Sequence, residues 1–288
     1  MLFRIEKAVL SDVGTDRRVN QDALLCKIAR HRQYGRICFA AVCDGLGGLS
    51  QGEIASAAFI RRAEEWFFHD FVDLLRQAER EELSPARCLH RAGIDWQSVI
   101  MEMNDRISRY GHREGVRLGT TAVLFLLVGC HYLVMHVGDS RCYLADERGL
   151  KLITHDHSLV QKQLDAGILT PAQAALSDKK SVLLQCIGAS DVIRPDFCEG
   201  LLLKDTSVIL CTDGFWRRLP ETVLWEAIQA DPEGSEEAMS GVLKQLASRV
   251  KQQGERDNIS AVYLMLLTEG SETGWMPAAC PSRQVMAC

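Results

Sequence analysis

The chain has 288 residues, 47% hydrophobic and 25% charged: enough apolar material for one large core or two small ones, and too well mixed for wholesale disorder. With 33 basic against 38 acidic residues the net charge is −5, and no basic run is dense enough to track a nucleic-acid backbone, so no nucleic-acid partner is expected. No stretch reaches the roughly 18 to 20 apolar residues of a membrane span, and Arg4, Glu6 and Lys7 break up the N-terminal apolar stretch, so neither a signal peptide nor a membrane segment is expected.

In chain order, strands are predicted at Phe3 to Leu10, Ala23 to Ile28 and Ile37 to Cys43, with the polar, turn-rich SDVGTDRRVNQD between the first two. The third strand runs into VCDGLGG, Val42 to Gly48. From Gly52 to about Tyr110, Ala, Glu, Arg, Leu and aromatic residues recur at helical spacing. The break at Ser84-Pro85 predicts a long helical hairpin with Ser84 as an N-cap. Strands return at Thr120 to Val128, Tyr132 to Val137, Arg141 to Ala145 and Lys151 to Thr154, joined by turns short enough for antiparallel hairpins. A polar segment, Asp156 to Ser190, is predicted helical at Leu159 to Ala166 and again after Thr170-Pro171. A strand at Ser207 to Cys211, helices at Pro220 to Ala230 and Glu236 to Gln252, and a strand at Asn258 to Leu267 complete the pattern.

Strand blocks separated by helical blocks point to an antiparallel α+β domain over residues 1–268. Residues 269–288 lack periodicity and read as a flexible tail. The 11 cysteines are scattered, with no C-x-x-C pair, and most sit in apolar runs. They read as reduced core thiols of a cytoplasmic protein.

VCDGLGG has the look of a phosphate-binding loop and fails both tests for one. A dinucleotide loop needs a third glycine where Ser50 stands, and a P-loop needs Lys-Ser/Thr where Glu53-Ile54 stands. A metal reading fits better, because the same grammar recurs: Asp213-Gly214 ends VILCTDGFW, Asp257 precedes NISAVYLML, and Asp139 lies between two strands in HVGDSRCYL. Taken singly, each Asp-Gly reads as a turn. Together, Asp44, Asp139, Asp213 and Asp257 offer the oxygen ligands that hard ions such as Mg²⁺ or Mn²⁺ prefer. Spacing alone leaves the turn and metal readings both open.

The ordered set SDVGTDRRVNQD, AAVCDGLGGLSQGEIAS, LGTTAVLFLL, MHVGDSRCYL, LITHDHSLVQKQL, LLQCIG, VILCTDGF and RDNISAVYL resembles the metal-dependent protein serine/threonine phosphatases of type 2C, over roughly residues 8 to 267. The resemblance implies a four-layer αββα sandwich, two antiparallel sheets flanked by helices, with a metal centre at one end. It implies that Asp44 bridges two Mn²⁺ or Mg²⁺ ions, that Asp213 and Asp257 complete the first, and that the Gly45 carbonyl binds the second, with no Cβ to keep that oxygen from the ion. Asp139 matches an acidic residue that helps hold a third, weaker ion in bacterial members. Arg17 has the position of the phosphate-binding arginine and is favoured over its neighbour Arg18.

The implied reaction is hydrolysis of phosphoserine and phosphothreonine by a metal-activated water, with no phosphoenzyme. The implied partners are phosphorylated proteins and a cognate serine/threonine kinase, and the expected form is a cytoplasmic monomer.

The chain departs from the family pattern at Gln21, at Leu46 and in the flap, Leu164 to Lys180. Gln21-Asp22 stands where many members have Glu-Asp, which leaves Gln21 and Asp22 to outer roles and raises an alternative: a catalytically weakened regulatory module that binds a phosphoprotein. Leu46 replaces a histidine of the eukaryotic branch. His155 and His157 have the spacing of a zinc pair, but the resemblance makes Asp156-His157-Ser158 a structural segment. Leu164 to Lys180 corresponds to a variable flap.

Overall fold

The structure, a computed structural model, describes residues 3–47, 51–230 and 234–268. The predicted tail, 269–288, and Gly48 lie outside the described residues.

Alternation along the strands builds the layers. In β3 (Gly35–Gly47), Ile37, Phe39, Ala41 and Cys43 face one core while Cys38, Ala40 and Val42 face another. β5 (Ala122–Val128) divides in the same way, Leu124 and Leu126 to one side and Phe125 and Leu127 to the other. Strands buried on both faces read as continuous apolar runs, which is why AVLFLLV shows no polar alternation in the sequence.

Among the described residues the strands form two sheets whose pairings are all antiparallel. One has the order β1 (Phe3–Asp12), β11 (Ile259–Thr268), β10 (Thr206–Cys211), β7 (Arg141–Asp146), β8 (Gly149–Leu152). The other has the order β2 (Asp22–His31), β3, β5, β6 (His131–Val137), β9 (Asp196–Leu201), with β4 (Leu118–Thr120) added to β3. Their facing surfaces share a core that includes Val42, Phe125, Leu210, Val262 and Leu264.

Helices α1 (Gly52–Phe68), α2 (Asp70–Arg80) and α3 (Pro85–Glu114) cover the second sheet. Phe39, Trp66 and Trp96 pack with centroids 5.3 to 5.8 Å apart, contacts worth about 0.5–1.5 kcal/mol each beyond their buried area. Helices α7 (Glu221–Gln229) and α8 (Glu236–Gln252) cover the first sheet through Leu224, Met239, Leu243 and Leu246. The expected αββα sandwich is the observed one.

The predicted elements need four adjustments. The helical hairpin is three helices: Ser84 caps α3 as expected, its hydroxyl accepting from Arg87 N, but a second break falls at His69 without Gly or Pro. The predicted strand at Thr120 is two strands, β4 and β5, meeting at Thr121. Strand β9 was not predicted: it pairs on one side only, with β6, and its Asp196, Phe197, Glu199 and Leu201 are exposed, so it carries no buried-strand pattern. Lastly, β3 does not stop at Cys43. It continues through Asp44 to Gly47, with Gly45 to Gly47 opposite Thr120 to Leu118 of β4, so Asp44-Gly45 is a strand and not a turn.

Candidate active site

The even-numbered face of β3 points between the sheets, and along it Cys38, Ala40 and Val42 give way to Asp44, so the carboxylate stands at the mouth of the inter-sheet core. Asp22 lies opposite Asp44 in the β2–β3 register and on the same face. The backbone of Asp44 is tied down at three points. Its N–H donates to Thr121 Oγ1 at 2.9 Å, and its carbonyl accepts from Thr121 N at 2.9 Å and from Thr120 Oγ1 at 3.0 Å. Thr121 Oγ1 in turn bonds Ser140 Oγ at 2.7 Å, linking this strand end to the turn that carries Asp139.

Asp139 sits between β6 and β7, 4% exposed, and its carbonyl accepts from Trp216 Nε1 at 3.0 Å. Asp213 opens α6 (Asp213–Trp216) directly after β10 and Thr212, and is 7% exposed. Carboxylate oxygens of Asp44, Asp139 and Asp213 lie within 4.8 Å of one another. Desolvation, then Asp22, Asp139 and Asp257, push the Asp44 carboxyl well above the usual carboxylate range. Burial, then Asp156, raises Asp139 to about 6.

Asp257 stands beside this trio and not within it. Its two oxygens accept from Arg17 Nε at 2.8 Å and Nη2 at 3.0 Å, a bidentate fork that holds the guanidinium pKa above its ordinary value. Arg17 rather than Arg18 is therefore the arginine bonded at the site.

Asp22 is pushed up to about 7, chiefly by burial; its Oδ2 accepts from Thr212 Oγ1 at 2.9 Å, while its Oδ1 is buried without a hydrogen-bond partner. A buried orphan acceptor beside three crowded carboxylates fits a site for cations and their water. The donor set is all oxygen, as a hard divalent ion requires.

Both Asp-Gly pairs turn out to use glycine for close packing. Neither Gly45 nor Gly214 has positive φ. A Cβ on Gly45 would run into the carbonyl oxygens of Gly52 and Gln21, and one on Gly214 into that of Asn258. The room at Gly45 is thus needed by the backbone packed on it, Gly52 at the start of α1 included.

A family model described as protein phosphatase 2C matches residues 15–262. The chain belongs to that family. It is 26% identical to protein phosphatase PhpP of Streptococcus pneumoniae over 93% of this chain and all of that one. It is 30% identical to the serine/threonine phosphatase stp of Listeria monocytogenes, covering 77% of this chain and 82% of that one. Among solved structures, the serine/threonine phosphatase PstP of Mycobacterium tuberculosis superposes with a TM-score of 0.72 at 25% identity, covering 93% of this chain and all of that one. A PstP catalytic domain has also been solved with two manganese ions; it matches at 24% identity and a TM-score of 0.69, over 93% of this chain and all of that one.

In this phosphatase, residues absent from the sequence expectations complete the site. Gln21 Nε2 donates to Glu53 Oε2 at 3.3 Å, so an acid in the first turn of α1 lies beside the amide that replaces the family's glutamate. Arg217 forms an ion pair with Asp213 four residues earlier. Glu53 was visible only as the residue that spoils a P-loop, and Arg217 drew no expectation from the sequence.

The zinc spacing of His155 and His157 does not become a site. His155 is turned outward to Asp165, at 3.0 Å. His157 stacks on His136, with centroids 4.5 Å apart, and these two rings lie near Asp196. Both nitrogens of His157 are committed: Nδ1 accepts from Gly138 N at 3.2 Å and Gln185 Nε2 at 2.7 Å, leaving Nε2–H to face Asp196 at 3.3 Å. The amide orientation of Gln185 is itself set by two bonds to the Arg194 backbone. His157 N also donates to Gly138 O at 2.8 Å, so this histidine clamps the residue before Asp139. That is the structural role expected of the Asp156-His157-Ser158 segment.

Proposed function

We propose that this protein serine/threonine phosphatase removes phosphate from phosphoserine and phosphothreonine in proteins with two Mn²⁺ or Mg²⁺ ions held at the Asp44 cluster. The observation that carries the reading is the convergence of Asp44, Asp139 and Asp213 from separate strand ends, with the orphaned Asp22 oxygen nearby.

In this reading Asp44, Asp213 and Asp257 would hold the ions, with the Gly45 carbonyl as a further oxygen donor. Asp139 lines the same cluster, at the position that the family resemblance links to a third, weaker ion in bacterial members. When bound, the ions supply Lewis acidity toward the phosphoryl oxygens and acidify the attacking water. Thr120 and Thr121 fix the backbone behind Asp44, which holds the carboxylate in place. Arg17 binds phosphate, and its fork on Asp257 holds the guanidinium beside the cluster. Asp22 and Gln21 act behind the ligands, Gln21 through Glu53.

The substrates are phosphoproteins made by a cognate kinase, and the protein acts as a cytoplasmic monomer. Free thiols at Cys38, Cys43, Cys142 and Cys211, all buried, support a reducing compartment. No helix among the described residues is long and apolar enough to cross a membrane. The weakened regulatory module is not favoured: the named relatives are phosphatases, and the acidic cluster is intact.

The purified protein should hydrolyse p-nitrophenyl phosphate and a phosphothreonine peptide with Mn²⁺. An Asp213→Asn variant as active as the parent would overturn the assignment.

A further inference from the structure

Arg217 is the residue the family reading leaves unused. It follows α6 by one position, and its backbone N–H bonds Asp213 O at 2.8 Å, completing one helical turn. Its Nη2 donates to Asp213 Oδ2, with the arginine side chain 19% and the aspartate side chain 10% exposed. Its positive charge also bears on both Asp44 and Asp139, offsetting part of what burial does to each carboxyl. One guanidinium therefore serves all three members of the carboxylate trio.

The surroundings direct it there. The preceding residue, Trp216, donates through Nε1 to the Asp139 carbonyl and lies under the Arg141 guanidinium, 3.4 Å from the ring centroid. Arg141 is locked in turn by a bidentate bond to Asp156, at 3.0 and 2.8 Å. With Trp216 fixed on Asp139, the next side chain along the turn has the cluster as its nearest counter-charge. Asp213 has two oxygens, of which Arg217 bonds Oδ2; Oδ1 is not bonded to the guanidinium.

We propose that Arg217 is a resident cation on the Asp139–Asp213 side of the cluster, standing where a third divalent ion would, so that the chain binds two ions and no third. This rests on the metal-dependent phosphatase reading. A guanidinium suits the task because it keeps its charge at all working pH values and is weakly hydrated, so it can stay in a partly buried cluster without exchanging. Its single charge is bonded to Asp213 and offsets part of the crowding with Asp139 and Asp44. A side of the site that would fill only at high metal concentration is thereby occupied permanently.

Metal stoichiometry tests this, measured by calorimetry with Mn²⁺ and by bound-metal analysis after gel filtration, beside thermal unfolding in EDTA. The parent should bind two Mn²⁺ per chain. Arg217→Gln should bind a third, weaker equivalent, and its metal-free unfolding midpoint should fall by several degrees because three carboxylates lose their shared counter-charge. Arg217→Lys, which restores a positive charge, should return both readings toward the parent's. Arg217→Gln combined with Asp139→Asn should lose the third ion again, which guards against a gain at an unrelated site. Three ions in the parent, or two in Arg217→Gln with an unchanged midpoint in EDTA, would overturn the proposal. So would a rise in KM for p-nitrophenyl phosphate at unchanged stoichiometry, because Arg217 would then be a phosphate ligand. A parent that binds no Mn²⁺ defeats the metal reading itself and the proposal with it.

Discussion

Replacing Thr121 with valine tests how the site is held. The side chain is fully buried and nearly isosteric with valine, so the change removes a hydroxyl without opening a cavity. Two groups lose a partner: the Asp44 N–H, 2.9 Å from Thr121 Oγ1, and the Ser140 hydroxyl, 2.7 Å from it. A buried polar group left unpaired costs about 1–3 kcal/mol, and because the Ser140 hydroxyl can turn elsewhere the total should be about 2–3 kcal/mol. For a chain of this size that corresponds to a fall of roughly 3–5 °C in the unfolding midpoint. The Asp44 backbone should also shift, and displacements near 1 Å in a catalytic constellation cost about a hundredfold in rate, so kcat/KM should drop by roughly 10- to 100-fold. Thr120→Val is the control. The Asp44 carbonyl it would abandon keeps the bond from Thr121 N, so its cost should stay near or below about 1 kcal/mol. Thermal unfolding in EDTA and hydrolysis of p-nitrophenyl phosphate with Mn²⁺ read both effects. If Thr121→Val unfolds within a degree of the parent and keeps its activity, the two threonines do not position Asp44.

Two further outcomes follow from the same geometry. Gln21→Glu places a second carboxylate against Glu53, 3.3 Å away at present, so the metal-free protein should lose about 1–2 kcal/mol in a urea titration. Mn²⁺ binding by calorimetry should tighten at the same time, and no change in either would mean that Gln21 does not face the metal centre. His136 is held neutral, its pKa pushed down to about 4 by burial, with its bond to the His155 carbonyl, Asp196 and Asp156 opposing. Because its folded pKa lies below the unfolded value, its contribution is full above about 6.5 and is lost as the pH falls toward 4. The stability of the parent relative to His136→Gln, measured by urea unfolding across that window, should therefore decline as the solution is acidified, and a flat difference would show that His136 titrates normally.

Much of the architecture was legible because the strands are buried on both faces: runs such as Ile37 to Cys43 and Thr121 to Val128 admit few alternatives. The site was legible as chemistry before it was legible as geometry. Asp44, Asp139 and Asp213 stood out as carboxylates at strand ends, and they do meet. The local structure was misread at Asp44, because Asp-Gly signals a turn to any rule based on short segments. Here β3 runs on through Asp44, Gly45 and Leu46, and the pairing with Leu118 to Thr120 that holds it straight comes from more than 70 residues away in the chain. Glu53 and Arg217 were missed for a related reason, since what they do depends on the partner each meets in space: an amide 32 residues distant for one, a carboxylate one helical turn back for the other. Strand β9 was missed because it packs on one edge only and exposes Phe197 and Leu201, leaving no apolar run to recognise.

The central claim is that ions held by Asp44 drive phosphate hydrolysis. Its most direct test is hydrolysis of a phosphothreonine peptide by the parent and by Asp44→Ala, each stripped with EDTA and then supplied with Mn²⁺. The parent should be silent when stripped and active on addition of Mn²⁺, and Asp44→Ala should stay silent in both states while remaining folded by circular dichroism. Activity that survives EDTA, or that Mn²⁺ restores equally in Asp44→Ala, would contradict the account.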